Sequence, residues 1–315
     1  MARQNISEDG TTDTTADASG ATDGSGSATG AGERSEHSTR DRSGAASGDG
    51  TDIEADGIAV EGPSVEPAAS PMEYVESVAE MAVADPVAAG DCVGDLLALA
   101  REFDGDVRTA AGEALNLIGL LRPVEFEVWV DDVRSLAAAA DDDLTFLGLR
   151  ALAQLAGENP NAAAPGLDAA FGALGASRTD LRRAAFSLVA EVGAVEPERV
   201  RRADRDVVAA LRDPDASVRL AGAITAAKLL GTDPSQFPRT ATALFDALDD
   251  ADEEVREYAH AGLVHFALEH PEQVPEKRRA ISVLATVADA DIGLREGATK
   301  DALTRLLALD PEYDI

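Results

Sequence analysis

A spacing of 37 residues constrains this chain more than anything else in it. Val107, Leu144, Leu181, Val218 and Val255 stand 37 apart each time, and Leu294 follows after 39. The next position holds Arg108, Thr145, Arg182, Arg219, Arg256 and Arg295. Three before the aliphatic come Asp104, Asp141, Asp215, Asp252 and Asp291, with Arg178 as the exception. Four after it are Ala111, Gly148, Ala185, Gly222, Ala259 and Ala298; sixteen after it are Pro123, Pro160, Pro197, Pro234 and Pro271. A period of about 20–50 residues marks a chain built by stacking one small structural unit.

Each offset has a physical reading. The Asp predicts a helix N-cap, since its carboxylate accepts orphan backbone N–H groups and suits the positive end of the dipole. Val218, Gly222, Ala226 and Leu229 then form one apolar helical stripe, with a small residue where a neighbour must approach closely. The proline falls just past the helix end, which it cannot extend. Before each aliphatic lies a second apolar stretch, such as "DCVGDLLALARE" (91–102), "EFEVWVDDVRSLAAA" (125–139) or "ATALFDALDD" (241–250). Each unit therefore reads as two antiparallel helices joined by an Asp-bearing turn. A lone pair cannot bury both apolar faces, and stacking completes the core. Residues 72–84, "MEYVESVAEMAVA", fit a second helix without its first, hence an N-terminal cap. No stretch reads convincingly as a strand, so the expected class is all-α.

The D-x-x-[VL]-R-x-x-[AG] sentence, from Asp215 through Val218-Arg219 to Gly222, resembles HEAT repeats, most closely the short units associated with phycobilisome lyases. The resemblance spans about residues 72–311. It implies a right-handed α-solenoid of about six units plus the cap, with second helices on the concave face. It also implies a structural Asp–Arg ladder between adjacent units, carried by Asp104 and Arg108, Asp215 and Arg219, Asp252 and Arg256, and Asp291 and Arg295. Arg178 breaks the pattern in the third unit, where Asp180 lies nearby.

Charge limits the partners. The chain has 59 acidic against 27 basic residues, a formal charge of −32. Such a surface repels phosphate backbones and anionic lipid, which argues against nucleic acid and membranes. Only Lys228, Lys277 and Lys300 are lysines. Abundant acid with scarce lysine resembles cytoplasmic proteins of salt-adapted archaea; coding bias in a high-GC genome is the alternative. No signal peptide opens the sequence, and no run of about 18 apolar residues occurs, so a cytoplasmic location is expected. Residues 11–50 are Gly, Ser, Thr, Ala and Asp without a large apolar side chain, which predicts a disordered acidic tail over 1–70. The solenoid is expected to occupy 71–315.

The candidates for chemistry are weak. The arginine column could track phosphate, but each repeat except the third supplies a carboxylate three to four residues earlier, which favours a ladder. His260, His265 and His270 are spaced by five, about 140° off per step on a helix rather than one face, so no metal site is expected. HEAT-like units also build deoxyhypusine hydroxylase, whose iron sits on His-Glu pairs; this chain has no His-Glu dipeptide. No bilin-lyase constellation stands out, and Cys92, the single cysteine, reads as a buried, inert thiol. No cofactor is implied.

What remains is surface. Phe146 and Arg150, Arg183 and Ser187, and Leu220 and Ile224 occupy corresponding positions on three successive second helices. They are oddly apolar and basic for so acidic a chain. One reading is a groove for an acidic or amphipathic segment; the other is close packing between neighbouring helices. "ERVRRADRD" (198–206) is a second basic stretch, explained by pairing within its helix or by docking of the acidic tail. The expected function is a non-catalytic protein-binding scaffold or adaptor. The alternatives are a HEAT-type enzyme relative, bilin-lyase-like or hydroxylase-like, and an adaptor acting through its tail.

Overall fold

The computed structural model describes residues 70–287 and 297–313. The tail and the last rung, Asp291 and Arg295, lie outside them. Among the described residues there are helices and turns but no strand. The helices alternate between two layers. One layer holds α1 (Pro71–Ala84), α3 (Gly105–Leu121), α5 (Asp142–Glu158), α7 (Thr179–Gly193), α9 (Ala216–Thr232), α11 (Glu253–Glu269) and α13 (Ala298–Leu309). The other holds α2 (Val93–Glu102), α4 (Val130–Ala137), α6 (Leu167–Ala173), α8 (Asp204–Ala210), α10 (Pro238–Ala247) and α12 (Lys277–Val287). Each odd-numbered helix packs on the next odd-numbered one and on the even-numbered helix before it. That is a helical repeat solenoid, with α1 as the first helix of the described residues.

The odd-numbered helices follow the 37-residue rule closely. α3, α5, α9 and α11 are each 17 residues long. Asp141, Asp215 and Asp252 sit at N-cap positions, and their carboxylates accept backbone N–H bonds from the first turn. Asp104 holds the same position without a side-chain capping bond. The stripe buries Val218, Gly222, Ala226 and Leu229, among others. At the small-residue position the neighbouring layer comes very close. A Cβ on Gly148 would lie 2.2 Å from the Ala137 backbone nitrogen, and one on Gly222 would meet Ala210 at 2.9 Å.

The even-numbered segments differ from the expected uniform helices. Pro123 opens a 3-10 stretch, Pro123–Trp129, before α4 begins. Pro160–Ala163 and Ala164–Gly166 precede α6, and Pro197–Val200 and Arg201–Ala203 precede α8. The prolines explain where these segments start. Each stands two or more residues past an odd-numbered helix, at the first position of the next helical piece, where its missing N–H is no loss. The residue before each proline is forced out of the α region, with ψ of 65° at Arg122, 80° at Asn159 and 87° at Asp233. Proline thus ends one layer and starts the other.

Candidate binding groove

Arginines stitch the units along the edge where the odd-numbered helices begin. Arg219 donates from Nη1 to the carbonyls of Asp213 and Pro214, in the turn before its own helix. Its Nε and Nη2 donate to the Asp250 carboxylate of the next unit at 2.8 and 2.9 Å. Arg182 repeats the arrangement on the carbonyls of Ala176 and Ser177 and on Asp213. Arg256 grips the carbonyls of Asp250 and Ala251. Arg108 bonds the carbonyls of Ala100 and Phe103 and reaches Asp141 of the next unit at 2.8 Å. Arg219 and Asp250 are only 17% and 10% exposed, so this rung is largely shielded from water. Its hydrogen bonds hold the Asp250 carboxyl below the ordinary carboxylate range.

The geometry corrects the expected ladder in one respect. Asp104, Asp215 and Asp252 do not pair with Arg108, Arg219 and Arg256. Asp215 accepts from Ser217 N and Oγ and, at 3.5 Å, from Thr179 Oγ1, while Asp252 accepts from Glu254 N and Val255 N. Asp141 is the capping acid that also takes an arginine. The other rungs use Asp213 and Asp250, two residues earlier. These too recur at 37, a signal the sequence carried.

The two exceptions to the pattern fall at one junction. Thr145 replaces the column arginine, and its hydroxyl takes the carbonyls of Ala139 and Asp141. Arg178 replaces the capping Asp of the following unit. It donates to Asp143 of the preceding unit at 2.7 Å and to Asp180 at 2.6 Å. The rung is present with its polarity reversed.

The six strip residues come together. Phe146 and Arg150 from α5, Arg183 and Ser187 from α7, and Leu220 and Ile224 from α9 line one hollow of about 470 Å³. Two neighbouring hollows share its wall at Arg150. One, about 420 Å³, runs past Leu120, Pro123 and Ala153. The other, about 300 Å³, runs past Arg108, Glu113 and Phe146. Together they make a trough crossing the odd-numbered helices from α3 to α9. Phe146 and Leu220 also pack against the core, so each serves both of the readings the sequence left open.

The trough is mixed in charge. Arg150 lies half-buried over the Phe146 ring, 5.7 Å from its centroid, and makes no hydrogen bond or ion pair. Burial lowers its pKa, and the nearby Glu113 charge partly offsets this. Arg183 is exposed and equally without a polar partner. Asp180 is held by Arg178, and Glu191 by Lys228 at 2.6 Å. Glu113 and Glu158 border the trough without an ion pair. The Ser187 hydroxyl donates back to the Arg183 carbonyl.

Other sequence candidates have structural surroundings. His270 places Nε2 against the carbonyls of Gly231 and Thr232, at the end of α9. His265 lies exposed, its ring where a Gly231 side chain would stand. His260 is half-buried, which lowers its pKa. Among the described residues no group of three or more His, Cys, Asp or Glu is placed to hold a metal. Cys92 is half-buried beside Tyr74, not fully enclosed as expected. In the basic stretch Arg199 pairs with Glu196, and Arg202 pairs with Asp168 while stacking on Phe171. Those partners include a neighbouring unit, beyond the intrahelical pairing expected. No described helix is long and apolar enough to cross a membrane.

No family model matches the sequence. No curated protein matches it. Solved structures do. A designed armadillo repeat protein aligns with a TM-score of 0.57 at 17% identity, over 68% of this chain and 99% of its own. Another designed armadillo repeat protein, in complex with the peptide (KR)4, gives 0.55 at 17%, over 69% and 98%. A chain of the Kap95p–RanGDP structure gives 0.51 at 13%, over 76% of this chain and 34% of its own. At such identities the likeness is one of fold. The chain is a helical repeat solenoid.

Proposed function

We propose that this chain is a non-catalytic, HEAT-type scaffold or adaptor whose trough holds an extended segment of another protein. One observation carries the reading: six side chains from three successive helices, chosen by their common position in the repeat, line a single hollow. Solenoid helices are formed before binding, so little ordering entropy opposes association, and successive units add contact area. The fold agrees, since designed armadillo repeat proteins of similar fold were made for modular peptide recognition, and one is in complex with (KR)4.

Affinity capture from the native host, at native salt, tests this against a Phe146→Asp/Ile224→Asp variant. The wild type is expected to retain a partner that the variant loses, with cross-links mapping to α5, α7 and α9. Identical retrieval by both would remove the trough as the site. Purified protein is expected to carry neither iron nor a chromophore; either one in metal analysis or an absorbance spectrum would favour an enzyme relative. A cytoplasmic, salt-adapted setting belongs to the same proposal. Its measurable consequence is a melting temperature that climbs with KCl as carboxylate repulsion is screened, and a flat response would count against it.

A further inference from the structure

The trough contains guanidinium groups that no carboxylate or carbonyl holds. Carboxylates outnumber basic side chains more than twofold, so an arginine without an acid is unusual in this chain. Among the described arginines, only the side chains of Arg150, Arg183, Arg201 and Arg205 have neither an ion pair nor a hydrogen bond. Arg201 and Arg205 stand exposed in the basic stretch of the other layer. Arg150 and Arg183 share one hollow. The two acids in that wall, Asp180 and Glu191, are already taken by Arg178 and Lys228, while Glu113 stands in the adjoining hollow near Arg150 without pairing to it. Phe146, beside Arg150, and Leu220 and Ile224, on the helix after Arg183, add apolar surface to the same hollow. Leu120, 66% exposed, extends it at one end.

A half-buried guanidinium has lost hydration without gaining an acceptor, an imbalance that an incoming carboxylate corrects. The guanidinium fork suits that group, donating two parallel N–H bonds to its oxygens. Away from bulk water the attraction is also stronger than at an open surface.

Resting on the reading of the trough as a partner site, we propose that its ligand is an extended acidic–aliphatic peptide segment of another protein. Carboxylates dock on Arg150 and Arg183, and aliphatic side chains lie against Phe146, Leu220 and Ile224. Spacing sharpens the motif. Packed helices stand about 8–10 Å apart. A polyproline-type peptide repeats every three residues at about 3.1 Å each, so every third side chain meets the next helix. The recognised pattern is thus acidic residues three apart with aliphatics beside them. The overall charge of −32 opposes approach, but that repulsion is screened beyond about 3–10 Å between 1 M and 0.1 M salt.

Fluorescence anisotropy with labelled (Asp-Leu-Ala)3, (Asn-Leu-Ala)3 and (Lys-Leu-Ala)3 at about 0.5 M KCl, where that screening holds, tests the assignment. The acidic peptide is expected to bind at least about tenfold more tightly than the other two, as two charge-assisted pairs allow. Arg150→Ser/Arg183→Ser should abolish that preference, while Arg201→Ser/Arg205→Ser, with the same change in net charge, should keep it. Equal or tighter binding of the Asn or Lys peptide overturns the assignment. So does a preference surviving in Arg150→Ser/Arg183→Ser, or no binding by any peptide. A neutral or basic peptide whose binding is lost in Phe146→Asp/Ile224→Asp would leave the trough a partner site while removing its acidic ligand.

Discussion

Arg182 and Arg183 are neighbours on α7, yet they belong to different regions of the molecule. Arg182 turns to the seam, where it grips the Ala176 and Ser177 carbonyls and Asp213 of the next unit. Arg183 faces the trough and holds nothing. A helix turns about 100° per residue, enough to move one side chain from a stitched edge to an open surface. The difference teaches how this chain spends its few cations: the repeat position dictates which arginines hold units together and which stay available.

Breaking the seam should have the largest effect. Asp250 accepts both arms of Arg219 and the Asp252 N–H. Asp250→Ala leaves a shielded guanidinium without its acid, which costs about 3 kcal/mol and lowers the melting temperature by several degrees. Arg182→Leu is expected to cost about 2 kcal/mol, and Arg183→Leu close to nothing. Urea unfolding of the two adjacent variants measures the contrast directly. Equal losses would end the division between seam and trough.

Acid sharpens the same contrast more gently. Because Arg219 holds the Asp250 carboxyl below its ordinary range, the folded state prefers the ionised form. That preference contributes stability fully present above the unfolded carboxylate value of about 4 and lost as pH falls through the lower folded value. The wild type should therefore lose more stability than Arg219→Leu between about pH 5 and pH 2, whereas Arg183→Leu should track the wild type. The two variants change the net charge equally, so relief of the general acidic repulsion cancels between them. Parallel curves for wild type and Arg219→Leu would show that this rung contributes no pH-dependent stability.

Much of this was legible in one dimension, and the remainder has identifiable reasons. Helix ends, caps and the close approach at Gly148 and Gly222 follow from local chemistry, which repeats with the sequence. The strip from Phe146 to Ile224 follows from helical geometry alone. The broken even-numbered segments did not, because 125–139 is as apolar as a helix would be, yet Pro123–Trp129 winds as a 3-10 helix before Val130–Ala137. The acid chosen by each arginine was also hidden. Asp213 and Asp215 lie two residues apart, and only the offset between stacked units decides which one Arg182 meets. Whether Arg150 has a partner depends on which acids are already occupied, a property of the assembled seam.

The smallest expected effect lies at the reversed rung, where Thr145 and Arg178 have exchanged the usual polarity. If the two exceptions compensate each other, they must be coupled. Arg178→Asp alone sets a third carboxylate beside Asp143 and Asp180 and should cost about 1 kcal/mol. Thr145→Arg alone loses the threonine bonds to Ala139 and Asp141 and places an arginine toward Arg178, for about 0.5–1 kcal/mol. Together they recreate the arrangement of Arg108 and Asp141, so the double variant should lie within about 0.5 kcal/mol of the wild type. A double-mutant cycle by urea unfolding reads this coupling. Additive losses would mean that Thr145 and Arg178 are independent departures, and that the stack tolerates a missing rung at its centre.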